Sequence, residues 1–336
     1  MFQGGFEYAV SERWLVTGGL GFIGSHFIRF VLEERPDVSV VNFDAMTYAG
    51  NPVNVADLAG GRRYAFIKGN VGDEALVDSV VSAGVDVVVN FAAESHVDRS
   101  ILDPSDFVRT NVLGTHVLLE AARKHGIRRF LQVSSDEVYG ARPIRESKEG
   151  DALAPQSPYA ASKAAGELHA LAHWTTYATP VLITRASNTY GPFQYPEKIV
   201  PLFVTNLIDD IPVPLYGDGL QVREWLHVDD HVRGILRVLD RGRPGEAYNL
   251  GSGNLQTNLS LTEKLLELCD RRFDTHVRFV ADRPGHDRRY SSDSSKARAL
   301  GWSPQRDFVE GLAATVRWYR ENETWWRPMK AARVSR

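Results

Sequence analysis

Glycines at intervals of three residues follow the first apolar run of the chain. Gly18, Gly21 and Gly24 lie in the segment TGGLGFIG, between an apolar run at 14–17 and a helical pattern at 24–34. Glycines so placed permit a tight turn and a close approach of the backbone to a pyrophosphate, which the N–H groups at the start of the helix can bind. The spacing alone also fits an ordinary strand–helix turn, so it predicts a dinucleotide site only in a suitable context.

A carboxylate supplies part of that context. Asp44 ends the second apolar run, 20 residues beyond Gly24. A carboxylate at this place binds the ribose hydroxyls of NAD and repels the 2′-phosphate of NADP. A strand-end turn residue or a helix cap is the alternative interpretation of Asp44. Taken with the glycines, it predicts NAD as the cofactor.

Apolar runs alternate with helical patterns through the N-terminal half. Runs at 38–43, 64–67, 86–91, 130–133 and 181–183 predict strands, and the patterns at 24–34, 107–125 and 158–177 predict helices. The strands are mostly continuously apolar, which fits burial on both faces. This alternation predicts an α/β fold with a doubly wound Rossmann parallel sheet.

The alternation of apolar runs and helical patterns becomes irregular after residue 188 of the 336. Prolines and glycines become frequent, and long loops separate the helices predicted at 260–269 and 308–322. We predict a Rossmann domain for NAD over 1–187, to which about 224–250 returns. A smaller, interleaved C-terminal substrate-binding lobe takes up most of 188–330.

Composition excludes several classes of protein. The chain has 39 Lys and Arg against 42 Asp and Glu, a net charge of −3, which does not suit a nucleic-acid or polybasic membrane protein. Its one cysteine, Cys269, allows neither an intramolecular disulfide nor a cysteine-based zinc site. Residues 1–13 lack the apolar core of a signal peptide, and no run approaches the ~20 apolar residues that span a bilayer. We expect a cytoplasmic protein.

A tyrosine and a lysine are spaced for acid–base chemistry. Tyr159 and Lys163 follow a good helix start at 157–158 and share one helix face. A nearby ammonium favours the tyrosinate, so Tyr159 can act as a base toward a hydroxyl. Tyr64 and Lys68 have the same spacing on a predicted strand, where ~13 Å separates them. Without further context, Tyr159 and Lys163 fit a surface helix pair equally well.

Polar residues follow the fifth predicted strand. Ser135, Asp136 and Glu137 stand directly after it. Ligands of open α/β sheets bind outside the carboxyl ends of the strands, so these side chains should face the cofactor cleft. The alternative for Asp136 and Glu137 is an acidic pair that favours a helix start.

The glycine segment, the hydroxyl of Ser135 and the Tyr159/Lys163 pair together resemble the extended short-chain dehydrogenase/reductase family. Further segments are similar to the nucleotide-sugar 4,6-dehydratases, and among them to those that act on dTDP-glucose: AAESHVDRS at 92–100, the acidic pair at 136–137, YGP at 190–192, PEK at 196–198, DRPGHD at 282–287, and the tryptophans at 318, 325 and 326. The resemblance spans 14–328. It implies a hydro-lyase of deoxysugar biosynthesis that keeps NAD bound, takes an NDP-glucose and forms a homodimer.

The resemblance also implies a role for each reactive group. Ser135 would hydrogen-bond the reacting hydroxyl, Tyr159 would be the base for C4 oxidation, and Lys163 would hold the nicotinamide ribose. Glu137 would take the C5 proton, and Asp136 would protonate the departing C6 hydroxyl. A 4-epimerase or decarboxylase of the same fold needs no such carboxyl pair and is the alternative enzyme. A non-catalytic NAD-sensing protein is the third hypothesis.

Binding residues are likewise carried over from the family's motifs. Those expected at the cofactor are Gly18, Gly21, Phe22, Ile23, Gly24, Asp44, Thr47, Asn70, Val71, Ala92, Ala93, Tyr159 and Lys163. Those expected at the nucleotide sugar are Ser95, His96, Asn188, Glu197, Lys198, Pro214, Tyr216, Arg223, Asn258, Arg283 and His286. Solvated loop charges are the alternative for the last arginine and histidine. The residues leave the nucleotide base open between thymidine, uridine and cytidine.

Four positions depart from the family's usual pattern. Ser135 replaces a threonine, Thr189 the second of two asparagines, Asn70 an aspartate beside the adenine, and Ala45 a longer residue. None removes a catalytic group.

Two histidine pairs raise the question of a metal. His169 and His173 lie four apart on a predicted helix, and His227 and His231 flank two aspartates. The sequence offers no third ligand beside either pair, so we expect no metal site.

Overall fold

A computed structural model describes residues 11–142 and 144–334. The region 1–10, which carries most of the segment judged for a signal peptide and the start of the first predicted domain, lies outside the described residues. Among those described, no helix combines the length and the apolar character that crossing a bilayer requires.

Seven parallel strands form the main sheet. Their bounds are β1 Glu12–Thr17, β2 Val38–Asp44, β3 Tyr64–Lys68, β4 Val87–Asn90, β5 Arg129–Ser135, β6 Val181–Ala186 and β10 Glu246–Leu250. The order across the sheet is β10-β6-β5-β4-β1-β2-β3, and every neighbouring pair is parallel. The direction of strand order therefore reverses between β1 and β4, where a doubly wound sheet opens its ligand crevice. The predicted fold class is confirmed.

Thirteen helices are present in the described residues. They are α1 Phe22–Glu34, α2 Glu74–Val81, α3 Val97–Leu102, α4 Ser105–Phe107, α5 Thr115–Lys124, α6 Pro158–Tyr177, α7 Ile199–Ile208, α8 Val228–Arg241, α9 Asn258–Cys269, α10 Phe273–His276, α11 Ser295–Ala299, α12 Phe308–Glu321 and α13 Glu323–Val334. Shorter turns are the 3-10 segments Pro52–Leu58 and Asp136–Tyr139 and the π-helical turn Val108–Gly114.

Helices cover both faces of the main sheet. One apolar core joins the sheet to α1 and α8, and another joins the opposite face to α2 and α5. Burial on both faces explains the continuous apolar character of the central strands. The edge strand β3 differs, because Ala65 and Phe66 are exposed there.

The helix predicted at 107–125 is not continuous. A π-helical turn, Val108–Gly114, separates α4 from α5. Helix α6 approaches this turn closely: a Cβ on Gly166 would lie 2.5 Å from the carbonyl oxygen of Asn111. Thr115 Oγ1 donates to the same carbonyl at 2.8 Å. The predicted helical stretch is present, but a side-chain pattern does not report such a change of backbone pitch within it.

The C-terminal part builds two small sheets and a third core. The strands are β7 Asn188–Tyr190, β8 Val213–Tyr216, β9 Val222–His227, β11 Leu255–Thr257 and β12 Val277–Val280, ordered β11-β9-β7 and β12-β8. The third core unites α7, α9, α12 and α13. Sequence analysis missed α7 and α8. Prolines are frequent in this region, yet Pro201 of α7 lies in the first turn, where a helix needs no N–H donor.

The division of the chain into two domains, with about 224–250 returning to the first, stays a prediction. Strand β10 lies in the main sheet beside β6, although it follows β7, β8 and β9 in sequence. The domain limits at 187 and 188 themselves remain a proposal, which this interleaved path supports.

A buried ion pair joins α6 to the sheet. Arg185, at the end of β6, donates from Nε to both carboxylate oxygens of Glu167 on α6, at 3.0 and 3.1 Å. Arg185 also donates to the carbonyl oxygen of Glu149 at 3.0 Å and to the hydroxyl of Tyr139. Both charged side chains are almost fully buried. Because the pair is fully hydrogen-bonded, it fixes α6 against the sheet.

Removing one partner of this pair should be costly. Arg185→Met leaves the Glu167 carboxylate buried without a cation, and we expect a loss of about 3–5 kcal/mol in the free energy of unfolding, measured in urea. The double variant Arg185→Met/Glu167→Leu removes both charges and should lose less. A double variant as unstable as the single one would contradict this explanation.

Candidate active site

A cavity opens at the carboxyl ends of the central strands. Its volume is about 320 Å³, at the lower end of the range for ligand pockets. All the residues predicted for the cofactor and for the chemistry line it: Gly18, Gly21, Phe22, Ile23, Gly24, Asp44, Thr47, Asn70, Val71, Ala92, Ala93, Ser135, Asp136, Glu137, Tyr159 and Lys163. Ser95, Asn188, Glu197 and Lys198 also line it. The sequence motifs, which are far apart along the chain, therefore meet in one place.

The glycine segment forms a turn that no other residue fits. Gly18 has a φ of +68°, and a Cβ there would lie 2.7 Å from the backbone nitrogen of Ala92. A Cβ on Gly24 would meet the carbonyl oxygen of Gly18. Helix α1 begins at Phe22, so Gly24 lies in its first turn, and no side chain of the described residues caps that turn. Its leading N–H groups are thus left for an anion such as a pyrophosphate.

Asp44 braces this turn as well as lining the cavity. Its Oδ2 accepts a hydrogen bond from the Leu20 nitrogen at 3.0 Å, and its Oδ1 accepts one from the Met46 nitrogen at 2.7 Å. Burial raises the pKa of Asp44, and the two backbone donors oppose that rise. Each oxygen keeps a further lone pair, so the carboxylate can brace the turn and accept from a ribose hydroxyl together.

Tyr159 and Lys163 both reach the cavity from α6, whose first turn is capped by the Ser157 hydroxyl. Lys163 Nζ donates to the carbonyl oxygen of Val133 at 2.6 Å, and burial lowers the pKa of Lys163 to about 8. Burial and the Glu137 carboxylate raise the pKa of Tyr159. The expected lowering of the Tyr159 pKa by Lys163 is therefore not found, because Lys163 is not among the groups that shift it.

The second tyrosine–lysine pair plays no part in the cavity. Tyr64 and Lys68 lie on the edge strand β3, as predicted. The hydroxyl of Tyr64 accepts from the side chain of Asn42 at 2.9 Å. A tyrosine and a lysine four residues apart therefore come close together on one face only when they lie on a helix.

Ser135 turns the chain so that two carboxyls enter the cavity. Its hydroxyl caps the 3-10 segment Asp136–Tyr139 by accepting from the Glu137 nitrogen at 3.3 Å. The same hydroxyl lowers the pKa of Tyr159 through a hydrogen bond. Ser135 therefore links the tyrosine to the acidic pair.

The two carboxyls have different surroundings. Burial raises the pKa of Asp136 well above its ordinary value, and the charges of Glu137 and Glu224 raise it further. Burial also raises the pKa of Glu137, but the cations Arg223, Arg283 and Lys198 oppose that rise. Asp136 is thereby favoured as the protonated partner and Glu137 as the ionised one. Asp136 Oδ2 is buried and makes no hydrogen bond with the described residues, so it is free to act on a ligand.

Seven residues expected at the nucleotide sugar do not line the cavity. They are His96, Pro214, Tyr216, Arg223, Asn258, Arg283 and His286. One of them contacts a residue of the cavity, and two others share a partner outside its lining. His96 Nε2 lies 3.6 Å from Glu197 Oε2. Arg283 donates a hydrogen bond to the Asp98 carboxylate at 3.0 Å, and the same carboxylate accepts one from the Tyr216 hydroxyl.

The remaining positions among these seven have other local contacts. Arg223 donates to the carbonyl oxygen of Asp287 at 2.9 Å, and His286 lies 2.5 Å from Asp282. Pro214 lies in β8, and Asn258 begins α9. The binding roles of all seven stay predictions.

Three of the departing positions can be placed. Asn70 accepts from the Gly72 nitrogen at 2.8 Å through its Oδ1, and Thr189 Oγ1 lies 2.9 Å from Nδ1 of His231. Both residues, and Ala45 as well, line the cavity. Burial lowers the pKa of His231 to about 3, so the ring is neutral.

Sequence reasoning missed several cavity residues. Glu94 lines the cavity, and its backbone is held by Asn111, whose Oδ1 accepts from the Glu94 nitrogen at 2.8 Å. Asn111 also donates to Ser162 Oγ at 2.8 Å, one turn along α6 from Tyr159. Asn111 stands in the π-helical turn, and such turns are frequent at functional sites. No spacing in the sequence distinguishes it from a surface asparagine.

The two histidine pairs have different surroundings in the structure. His227 caps α8 through its Nδ1, which accepts from the Asp229 nitrogen at 3.2 Å. His169 and His173 are joined by a third histidine, His116, 2.9 Å from His169. The expectation that no third ligand accompanies that pair was wrong, because His116 comes from a different helix.

Comparisons with known proteins agree with the motifs. The family model described as GDP-mannose 4,6 dehydratase matches residues 15–315. A dTDP-glucose 4,6-dehydratase of Streptomyces niveus is 52% identical over 324 residues, which cover 95% of this chain and 96% of the relative. The chain belongs to the nucleotide-sugar 4,6-dehydratases. The family resemblance drawn from the motifs is thus confirmed.

Solved structures place the dehydratase fold among both dehydratases and epimerases. The dTDP-glucose 4,6-dehydratase DesIV of Streptomyces venezuelae, with NAD and TYD bound, is similar at 51% identity and a TM-score of 0.92, over 94% of this chain and 99% of that one. A UDP-glucose 4-epimerase of Thermotoga maritima, with UDP-glucose, is similar at 30% identity and a TM-score of 0.86, over 93% and 99%. The fold alone therefore does not distinguish a dehydratase from an epimerase. The residues of the site have to make that distinction.

Proposed function

We propose that this chain is a hydro-lyase that converts dTDP-glucose to dTDP-4-keto-6-deoxyglucose with NAD as cofactor. The observation that carries the proposal is the pair Asp136 and Glu137, which line one cavity with Tyr159 and are surrounded differently. The reaction oxidises C4, removes water across C5 and C6 and reduces C6. It requires one base at C4 and an acid–base pair at C5 and C6.

The described residues fit NAD. The turn at Gly18 and Gly24 has no room for side chains, which brings backbone N–H groups to the surface where a pyrophosphate would lie. Asp44 lines the same cavity with spare acceptor capacity for ribose hydroxyls. When bound, NAD supplies the acceptor for the C4 hydride and the donor that returns it to C6.

Tyr159 and Ser135 are proposed to act on the C4 hydroxyl. Ser135 holds that hydroxyl, and Tyr159 accepts its proton. Lys163, whose pKa burial lowers to about 8, lies one turn along the same face of α6 and is proposed to hold the nicotinamide ribose.

Asp136 and Glu137 are proposed to divide the elimination between them. Oxidation at C4 acidifies the C5 proton, because the resulting carbanion is conjugated with the ketone. Glu137, faced by three cations, is held closer to the ionised form that takes this proton. Asp136, beside two other carboxylates, keeps its own proton and gives it to the departing C6 hydroxyl.

The nucleotide end is proposed to lie toward Arg223 and Arg283. A guanidinium can bind two phosphate oxygens at once. Both arginines act electrostatically on Glu137, so a diphosphate bound there would change the charge that the base experiences. Thymidine as the base rests on the relatives named dTDP-glucose 4,6-dehydratase.

A homodimer formed through α5 and α6 is proposed as the assembly. Val108, Leu113, Leu168 and Tyr177 are large apolar side chains on this helix pair and the preceding π turn, and each is about half exposed. Contiguous exposed apolar surface marks contact sites in proteins. The cytoplasmic location expected from the sequence also remains a proposal.

The alternative activity is an NDP-sugar 4-epimerase or decarboxylase, whose fold is shared. It would use Ser135, Tyr159 and Lys163 in the same way. It gives no reason for two carboxyls buried beside the base, since neither reaction eliminates water.

Replacing the tyrosine should abolish oxidation without abolishing binding. In Tyr159→Phe we expect turnover of dTDP-glucose to fall by at least ~100-fold, because the C4 hydroxyl loses its base. Titration calorimetry with dTDP-glucose should show binding retained. Tyr64→Phe is the matched control and should affect stability only. Turnover within a few-fold of the parent would show that Tyr159 is not the base.

Asp44 should decide between the two nicotinamide cofactors. Cofactor-free protein should bind NAD⁺ more tightly than NADP⁺, since a carboxylate at the ribose repels the 2′-phosphate. Asp44→Asn keeps the shape and removes the charge, so the two affinities should converge in a fluorescence titration. Equal affinities in the parent protein would overturn the assignment.

The carboxyl variants should separate dehydratase from epimerase. Glu137→Gln and Asp136→Asn should each slow release of the 4-keto-6-deoxy product by ~100-fold or more, because an amide cannot exchange the proton. They should differ in deuterium oxide. Glu137→Gln should suppress exchange at C5 of the sugar, whereas Asp136→Asn should permit it and stall at C6. Each variant is thus the control for the other.

Parental rates in both carboxyl variants would have a clear meaning. The pair would then serve only to start the 3-10 segment, and the epimerase interpretation would replace the dehydratase.

A further inference from the structure

Three histidines and a glutamate meet on α5 and α6, in addition to the groups of the active site. His116 and Glu120 lie one turn apart on α5, and His169 and His173 lie one turn apart on α6. Residues four apart project from the same side of a helix. Because α5 packs against α6, the two pairs face each other.

The donor atoms are close enough to share one ion. His116 Nδ1 lies 2.9 Å from His169 Nε2, and His173 Nε2 lies 3.4 Å from Glu120 Oε1. One ring nitrogen from each histidine can be chosen so that all three lie within 4.8 Å of one another. Ligands bound tetrahedrally at zinc distances are roughly 3.3 Å apart. Small rotations of the side chains would therefore bring the set to that spacing.

The chemical state of the cluster suits a metal. Burial lowers the pKa of His169 and His173, and neighbouring histidines lower both further, a direction that favours the neutral ring a ligand needs. His173 is 3% exposed, and its Nδ1 has no hydrogen-bond partner among the described residues. Arg123 binds Oε2 of Glu120, which leaves Oε1 toward His173.

We propose that His116, His169 and His173, with Glu120, form a binding site for one divalent transition-metal ion of the zinc type. Three imidazoles and one carboxylate are a donor set that favours such ions over Mg²⁺ or Ca²⁺. A surface groove lined by Glu74, Asp78, His116 and Glu120, together with the basic residues Arg123 and Lys124, reaches the cluster at His116 and Glu120. The site is separate from the proposed catalytic residues and does not depend on the proposed reaction.

Metal binding to the intact protein tests the proposal. After treatment with a chelator and dialysis, the parent should take up one Zn²⁺ per chain in titration calorimetry, and Co²⁺ should give the visible absorption of a tetrahedral site. His169→Gln and His116→Gln should each weaken Zn²⁺ binding by at least ~10-fold, the lower end of the losses caused even by residues that only support a ligand. Both positions are partly exposed, so these variants should fold.

A matched histidine provides the control. His276 pairs with Asp210 at 3.0 Å, apart from the cluster, and His276→Gln should leave Zn²⁺ affinity unchanged. Thermal unfolding should shift upward with Zn²⁺ in the parent and in His276→Gln, but not in the double variant His116→Gln/His169→Gln. Equal Zn²⁺ uptake by the parent and the double variant would overturn the proposal. So would half an ion per chain, because two chains would then share the metal.

Discussion

The parallel pairing of β5 between β4 and β6 is the constraint on which the site depends. Its register sets Ser135 opposite Ala186 at the end of the sheet and places Asn90 of β4 opposite Gln132. Every strand of a parallel sheet ends at the same edge, so the glycine turn after β1, Asp44 at the end of β2 and the acidic pair after β5 are brought together. Asp44 also bonds the glycine turn directly, through the Leu20 nitrogen. Helices on both faces of the sheet bury β5.

That arrangement removes several ionisable groups from water. Asp136, Lys163 and Arg223 are each nearly inaccessible, and an isolated buried charge is unfavourable. The protein compensates with local partners rather than with one large network. Lys163 has the Val133 carbonyl, and Arg223 has the carbonyl of Asp287 and the ring of Tyr290. The stability of the buried groups rests on the three apolar cores that surround them.

Burial of this kind also produces the chemical asymmetry of the two carboxyls. Asp136 and Glu137 are adjacent in the chain, yet the cations act mainly on Glu137. Those cations come from β9, the start of α7 and the loop after β12, all in the C-terminal part. The difference in surroundings between the two carboxyls thus arises from cations in the C-terminal part of the chain.

The sequence predicted the sheet and the motifs well because both are local patterns. Continuous apolar runs reported β1, β2, β4, β5 and β6, and Ser157 with Pro158 reported the start of α6. The sequence did not predict features that depend on distant contacts or on the pitch of the backbone. The π turn before α5 is a feature of backbone pitch, and α7 has a proline in its first turn, in a region where prolines and glycines are frequent.

Contacts between separate elements were the other limit. The placement of Arg223 and Arg283 around Glu137 depends on how the C-terminal part folds over the sheet, and no spacing in the chain encodes it. His116 joins His169 only because α5 packs on α6. A cluster built from two helices has no single-segment signature.

The π turn has one more consequence. A π turn holds an extra residue, so the helical segments before and after it are out of phase by about 100°. Residues ahead of the turn contact the start of α6, whereas α5 beyond it packs against α2 as well. The helical stretch 105–124 thus presents differently oriented faces to successive neighbours. Deleting a single residue in 108–114 would restore a uniform pitch and turn Asn111 away from Glu94, although no side chain at the reactive centre would have changed.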